Sequence, residues 1–203
     1  MKDKKNKTAF SVRELSRIAM FIALTAVLAQ MVIPLPFSPV PISFGLVAVY
    51  STGILLKPRH AVFAQLGYLL LGVIGVPVFG SFKGGVGVLF GATGGYLLVY
   101  PLVAWIVAKT LNNSKKQIEH NHGSKVSVFL KAGISICIAH MILYLGGTIW
   151  LSKITGNTFY NSLYLAVFPY IPLDIVKIVF CVLVMVPLRL HLLTMGLLTL
   201  DDK

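Results

Sequence analysis

The chain has 203 residues, of which 57% are apolar and only 12% are charged, and its mean hydropathy is +0.85. That balance excludes an ordinary soluble domain and describes an integral membrane protein. The net charge of +12 does not describe a nucleic-acid surface, because the lysines and arginines gather at the ends of apolar runs rather than among aromatics on one face.

The predicted fold is all-α: a single domain over residues 1–203 with six transmembrane helices. Residues 1–12 read as a lysine-rich cytoplasmic tail. Lys2 to Lys7 followed by an apolar run has the look of a secretory signal peptide, but the run continues to Ile33 and ends in prolines instead of a small-residue cleavage site. It reads as a retained first helix, from about Glu14 to Ile33. Within it Ala19 and Ala23, extended by Ala26 and flanked by Thr25 and Ala29, make a flat strip over which another helix can approach closely. Alanine is also common in any transmembrane helix.

Pro34, Pro36, Pro39 and Pro41 stop that helix and make a stiff outer loop. A second helix, about Ile42 to Leu56, is short for a span of about 20 residues. It ends at the basic turn Lys57-Pro58-Arg59-His60, and a third helix runs from about Ala61 to Ile74. The stretch from Gly75 to Tyr96 is rich in glycine, giving an irregular backbone that is tolerated at membrane depth only where it is buried or lines a cavity. It lacks the Gly-Lys-Ser/Thr ending of a nucleotide loop. Its alternative reading is a packing surface between helices.

The fourth helix is expected over about Thr93 to Thr110 and a polar cytoplasmic linker over 111–125, where His120 and His122 read as solvated. The fifth spans about Val126 to Trp150. In it His140 and Tyr144 share a face by their spacing, and His140 reads as a satisfied core residue, outside any site. Thr155 to Tyr170 is polar and aromatic and suits an interfacial cap. The sixth helix runs from about Leu173 to Leu190. The basic residues cluster before helix one, at 57–60, over 109–131 and at the C-terminus, which places both termini in the cytoplasm. The proline loop, the glycine-rich stretch and the aromatic cap then lie toward the outer face.

Asp174 is the only one of six acidic residues inside an apolar segment. An ionisable group at membrane depth costs about 2.5–3.5 kcal/mol and normally faces a cavity or a partner. Lys177, three residues on, shares its helix face. The pair reads as a ligand site at the outer side, against the alternatives of an ion pair that only locks packing or a Lys177 that extends to the headgroups. Cys137 and Cys181 define neither a metal site nor a disulfide scaffold. With a single intramembrane carboxylate and no clustered nucleophile and base, the chain reads as a binder of a small, mainly apolar ligand, not as an enzyme, and no metal or cofactor is expected.

Pro39-Val40-Pro41-Ile42-Ser43, Gly75-Val76-Pro77-Val78-Phe79, Gly84-Gly85, Gly91-Ala92-Thr93-Gly94-Gly95-Tyr96-Leu97 and Tyr170-Ile171-Pro172-Leu173-Asp174-Ile175-Val176-Lys177 follow one another over nearly the whole chain. Together they resemble the BioY family, the biotin-specific substrate-binding (S) components of energy-coupling-factor (ECF) transporters. The resemblance implies a multi-pass protein of the cell membrane that captures biotin and works with a transmembrane coupling subunit and two cytoplasmic ATPases. By the same resemblance Asp174, Lys177, Lys83, Gly84, Gly85, Tyr96 and Phe79 are substrate-binding residues, and the Ala19/Ala23 strip is the docking surface for the coupling subunit. The sequence departs from the family pattern at Gly45, where a glutamine is frequent, at Ala92, where proline is usual, and at Leu97, where some members have arginine. If Leu97 removes a positive charge, Lys83 is the residue placed to supply it. An S component for another vitamin, a membrane enzyme and a non-transport membrane subunit are the other readings.

Overall fold

The computed structural model describes residues 11–120 and 125–197, with the backbone alone over 113–120 and at 125. Seven α-helices lie among the described residues: α1 (Val12–Gln30), α2 (Gly45–Leu55), α3 (Pro58–Val73), α4 (Gly94–His120), α5 (Lys125–Thr155), α6 (Phe159–Ala166) and α7 (Ile171–Thr194). A two-residue antiparallel ladder, β1 (Val32–Ile33) with β2 (Ile42–Ser43), closes the proline loop, pairing Val32 with Ser43 and Ile33 with Ile42. Three helical segments, Gly94–Asn112, Val126–Thr155 and Ile171–Thr194, are long and apolar enough to cross a membrane. The other long elements fall short of that measure for visible reasons. α1 carries Arg13, Glu14 and Arg17 in its opening turns, and α2 and α3 have 11 and 16 residues.

Local chemistry sets the ends of these helices. Ser11 and Glu14 form a capping box at the start of α1, each side chain accepting the other's backbone N–H. Pro58 opens α3, where a missing N–H costs nothing. Thr158 caps α6 by accepting from Asn161 N–H at 3.3 Å.

α2 is the axis of the molecule. Every residue from Val47 to Leu56 is buried, as an all-round apolar helix requires. α1, α4 and α7 pack around it, while α4 also packs on α3 and α5. Because its neighbours cover it, its short length does not expose its ends to lipid. Gly53 permits part of this closeness: a Cβ there would lie 2.7 Å from Val107 Cβ of α4.

Three sequence expectations are corrected. α1 ends at Gln30, three residues before Ile33, because the chain turns into the β-ladder. The expected linker over 111–125 is helical to His120, and residues 121–124 lie outside the described ones, His122 among them. The aromatic cap contains the additional helix α6. The predicted tail at 1–12 lies outside the described residues up to residue 10, and Val12 is already helical.

One end of the bundle gathers basic groups. Glu14 Oε1 lies 3.8 Å from Lys57 Nζ and 3.6 Å from His60 Nε2, joining the start of α1 to the α2–α3 turn. Arg17 donates to the carbonyl of Leu197 at the same end. The proline loop and the glycine-rich segment close the opposite end.

Candidate ligand site

The segment between α3 and α4 builds one wall of the site. Gly72 of α3 lets the ring of Phe79 lie against the helix, since a Cβ there would fall 2.0 Å from the ring. Phe79 is 1% exposed and meets Tyr68 edge-on at a centroid distance of 5.6 Å. Phe79 and Lys83 exchange backbone hydrogen bonds of 2.9 and 3.1 Å across a tight loop, whose Ser81 and Phe82 both take positive φ. Non-glycine residues in that region cost roughly 1–3 kcal/mol each and persist only where the surroundings impose them. Here the imposing group is Gln30 at the end of α1. Its amide donates to Val78 O at 2.9 Å and its oxygen accepts from Phe82 N–H at 2.8 Å.

Gly84 and Gly85 have backbone roles in the same turn. A Cβ on Gly84 would sit 2.7 Å from the carbonyl oxygens of both Gly75 and Val76, while Gly85 has φ +93° and donates to Gly72 O at 2.7 Å.

A cavity of about 460 Å³ opens between this segment, the proline loop and the aromatic side chains of α3 and α4, within the usual range for small-molecule sites. Its lining includes Pro39, Val40, Pro41 and Ser43 of the proline loop, Phe79, Lys83 and Gly84 of the glycine-rich segment, and Tyr68, Tyr96, Leu97 and Tyr100. Tyr68 and Tyr100 stack at 6.4 Å. Lys83 is exposed at this cavity and has no acidic partner among the described residues.

Asp174 and Lys177 do not line this space. They line a smaller cavity of about 60 Å³, together with Tyr144, Tyr170 and others. Val40, Pro41, Ser43, Tyr96 and Tyr100 belong to both and form the partition. Of the seven residues expected at the site, Lys83, Gly84, Phe79 and Tyr96 therefore meet in the large cavity, Asp174, Lys177 and Tyr96 in the small one, and Gly85 lines neither. Tyr96 is positioned by Gly147 of α5, where a Cβ would lie 2.1 Å from the ring.

The acid is deeply held. Asp174 and Lys177 are 4% and 5% exposed. Lys177 Nζ donates to Oδ1 at 2.9 Å and Tyr144 Oη donates to Oδ2 at 2.6 Å. His140 Nε2 lies 3.3 Å from Oδ2, so His140 belongs with the acid, against the expectation that it stands apart. The only sequence signal was its i, i+4 spacing to Tyr144.

The proline loop is tethered over the partition by Tyr170, the residue before α7. Its hydroxyl is hydrogen-bonded to Ser38 Oγ at 2.8 Å and to the carbonyl of Val40. Ala19 and Ala23 are on the exposed face of α1, beside Met20 and Val27, with the opposite face of Ile18, Phe21, Thr25 and Ala29 buried.

Comparison with known proteins places these features in context. The family model described as BioY family matches residues 2–193. A probable biotin transporter BioY of Pyrococcus horikoshii is 32% identical over 165 residues, covering 81% of this chain and 89% of that one. The biotin transporter BioY2 of Lactococcus lactis is 33% identical over 163 residues, covering 80% and 82%. A crystal structure of the S-component for biotin from an ECF-type ABC transporter superposes with a TM-score of 0.76 at 25% identity, covering 89% of this chain and 95% of that chain.

Proposed function

The chain belongs to the BioY family, and from that membership we propose that it captures biotin for uptake as the S component of an ECF-type transporter. The observation that carries this reading is the pair of adjoining cavities, one with a lone cation at its mouth and one ending on a buried carboxylate. Biotin has a ureido ring with two N–H donors at one end and a carboxylate at the other. Asp174 suits the first, since an ionised carboxylate accepts only, and Lys83 suits the second. Lys177 is already committed to Asp174, which favours Lys83 for the carboxylate. Phe79, Tyr68 and Tyr96 offer apolar ring faces between them. Joining the two spaces requires the partition at Tyr96 and Ser43 to give way.

The family is one of transporters, and no chemical step is assigned to it. We take the chain as one domain over residues 1–203, crossing the plasma membrane six times on α1, α2, α3, α4, α5 and α7, with both termini in the cytoplasm. The basic end of the bundle, which unites the start of α1, the 57–60 turn and Leu197, supports that orientation. Gly84 and Gly85 contribute by shaping the turn that carries Lys83. Energy is assigned to a transmembrane coupling subunit and two cytoplasmic ATPases, with the exposed Ala19/Ala23 face of α1 as the docking surface. No cofactor is assigned.

Uptake of radiolabelled biotin by cells that lack their own transporter tests this reading. Cells producing the chain together with a coupling subunit and two ATPases accumulate label, and an Ala19→Trp, Ala23→Trp variant that is still inserted does not. Accumulation no faster than in cells without the chain overturns it.

A further inference from the structure

The carboxylate of Asp174 is held by groups from two helices and braced from a third. Tyr144 and Lys177 each fill one acceptor position, at 2.6 and 2.9 Å. His140, one turn before Tyr144 on α5, brings Nε2 to 3.3 Å from the oxygen that Tyr144 uses, without the alignment of a hydrogen bond. Its Nδ1 is hydrogen-bonded to the hydroxyl of Tyr50 on α2, which is 0% exposed. The tautomer follows from charge. A bare imidazole lone pair facing a carboxylate oxygen at that distance is repelled, so Nε2 carries the proton and Nδ1 accepts from Tyr50.

A carboxylate offers about four acceptor positions, and two are filled here. We propose that Tyr144 and His140 are positioning residues for ligand capture: they hold the Asp174 carboxylate in one orientation, so that a ligand with paired N–H donors meets a preformed acceptor. The proposal rests on the biotin reading above. Holding the acceptor in place before binding reduces the ordering that binding would otherwise impose. Tyr144 does this by direct donation and His140 electrostatically, through an Nε2 held 3.3 Å from Oδ2 by the bond of its Nδ1 to Tyr50.

The titratable groups facing the carboxylate are Lys177 and Tyr170 at α7, His140 and Tyr144 of α5, Tyr50 of α2, and Tyr96 and Tyr100 of α4.

Equilibrium binding of biotin to the purified full chain near neutrality tests the proposal on wild type, Tyr144→Phe, His140→Gln and His140→Leu. Tyr144→Phe is expected to bind about tenfold weaker, the worth of one hydrogen bond to a charged group. His140→Gln, which keeps an N–H donor, is expected to stay within about threefold of wild type, and His140→Leu to weaken about tenfold. Should Tyr144→Phe not fold, the two His140 variants decide alone. Folded variants with wild-type affinity, or a loss in His140→Gln equal to that in His140→Leu, overturn the positioning role and assign these residues to packing. Wild type that binds no biotin overturns the functional reading and the proposal with it, whereas wild type that binds beside unshifted variants overturns only the proposal.

Discussion

Tyr170 and Ser38 stand 132 residues apart in sequence, yet the phenol lies 2.8 Å from the serine oxygen and also meets the carbonyl of Val40. The tether ties the proline loop to the helix that carries Asp174 and Lys177. Both cavities have Val40 in their walls, so a change in this loop reshapes both.

Tyr170→Phe removes the tether and leaves the ring. Biotin dissociation is expected to quicken by roughly 2- to 10-fold, the equivalent of one net hydrogen bond of about 0.5–1.5 kcal/mol. Filter-binding chase with unlabelled biotin measures it. An unchanged rate means the loop is held by its prolines alone.

Gln30→Leu removes the group that holds the positive-φ turn at Ser81 and Phe82. Phe82 N–H loses its partner at an exposed position while Val78 O keeps the Tyr68 hydroxyl at 3.3 Å, so stability is expected to fall by about 0.5–1.5 kcal/mol. Thermal unfolding in detergent should fall by several degrees, and biotin affinity with it because Lys83 follows the same turn. A variant as stable and as tight-binding as wild type would show that the turn holds itself.

Gly147→Ala forces Tyr96 to move, because the new Cβ would fall 2.1 Å from its ring. Overpacking of this kind costs about 1–3 kcal/mol. Since Tyr96 divides the two cavities, the expected result is weaker biotin binding in titration, with helix content unchanged by circular dichroism. Wild-type affinity would mean that the partition moves freely.

Lys83→Ala tests the assignment of the carboxylate. Loss of a charge-assisted contact is expected to weaken biotin by tenfold or more, about 1.4 kcal/mol, while biotin methyl ester binds the variant and wild type alike. Near-normal biotin affinity would remove Lys83 from the site and reopen the question of what replaces the positive charge lost at Leu97.

The long helices were readable because proline and glycine clusters punctuate apolar runs, and six of the seven fall where those runs predict. The rest was hidden for separate physical reasons. Residues 111–120 contain neither proline nor glycine, but their polarity masks a helix that continues past the apolar run. α6 lies in an aromatic stretch whose composition speaks of an interface rather than of a period, and a two-residue β-ladder has no period at all. Asp174 and Lys177 were legible as isolated charges in an apolar run. His140 was not, because spacing along α5 says nothing about which helices face it. The split into two cavities depends on where the Tyr96 ring rests, a tertiary fact set by Gly147. Gly45 is similar: a Cβ there would meet Ser43 Oγ at 3.2 Å and Ala29 at 3.4 Å, a close approach that its place in the sequence does not announce.

The central claim is that this chain alone binds biotin through Asp174 and Lys177. Equilibrium binding of biotin to the detergent-purified chain without ATPases, beside Asp174→Ala and Lys177→Ala, with thiamine and riboflavin as controls, tests it most directly. The account predicts tight binding of biotin alone, lost in both variants while their thermal unfolding shows folded protein. Folded wild type that ignores biotin, or that binds thiamine or riboflavin instead, would contradict it.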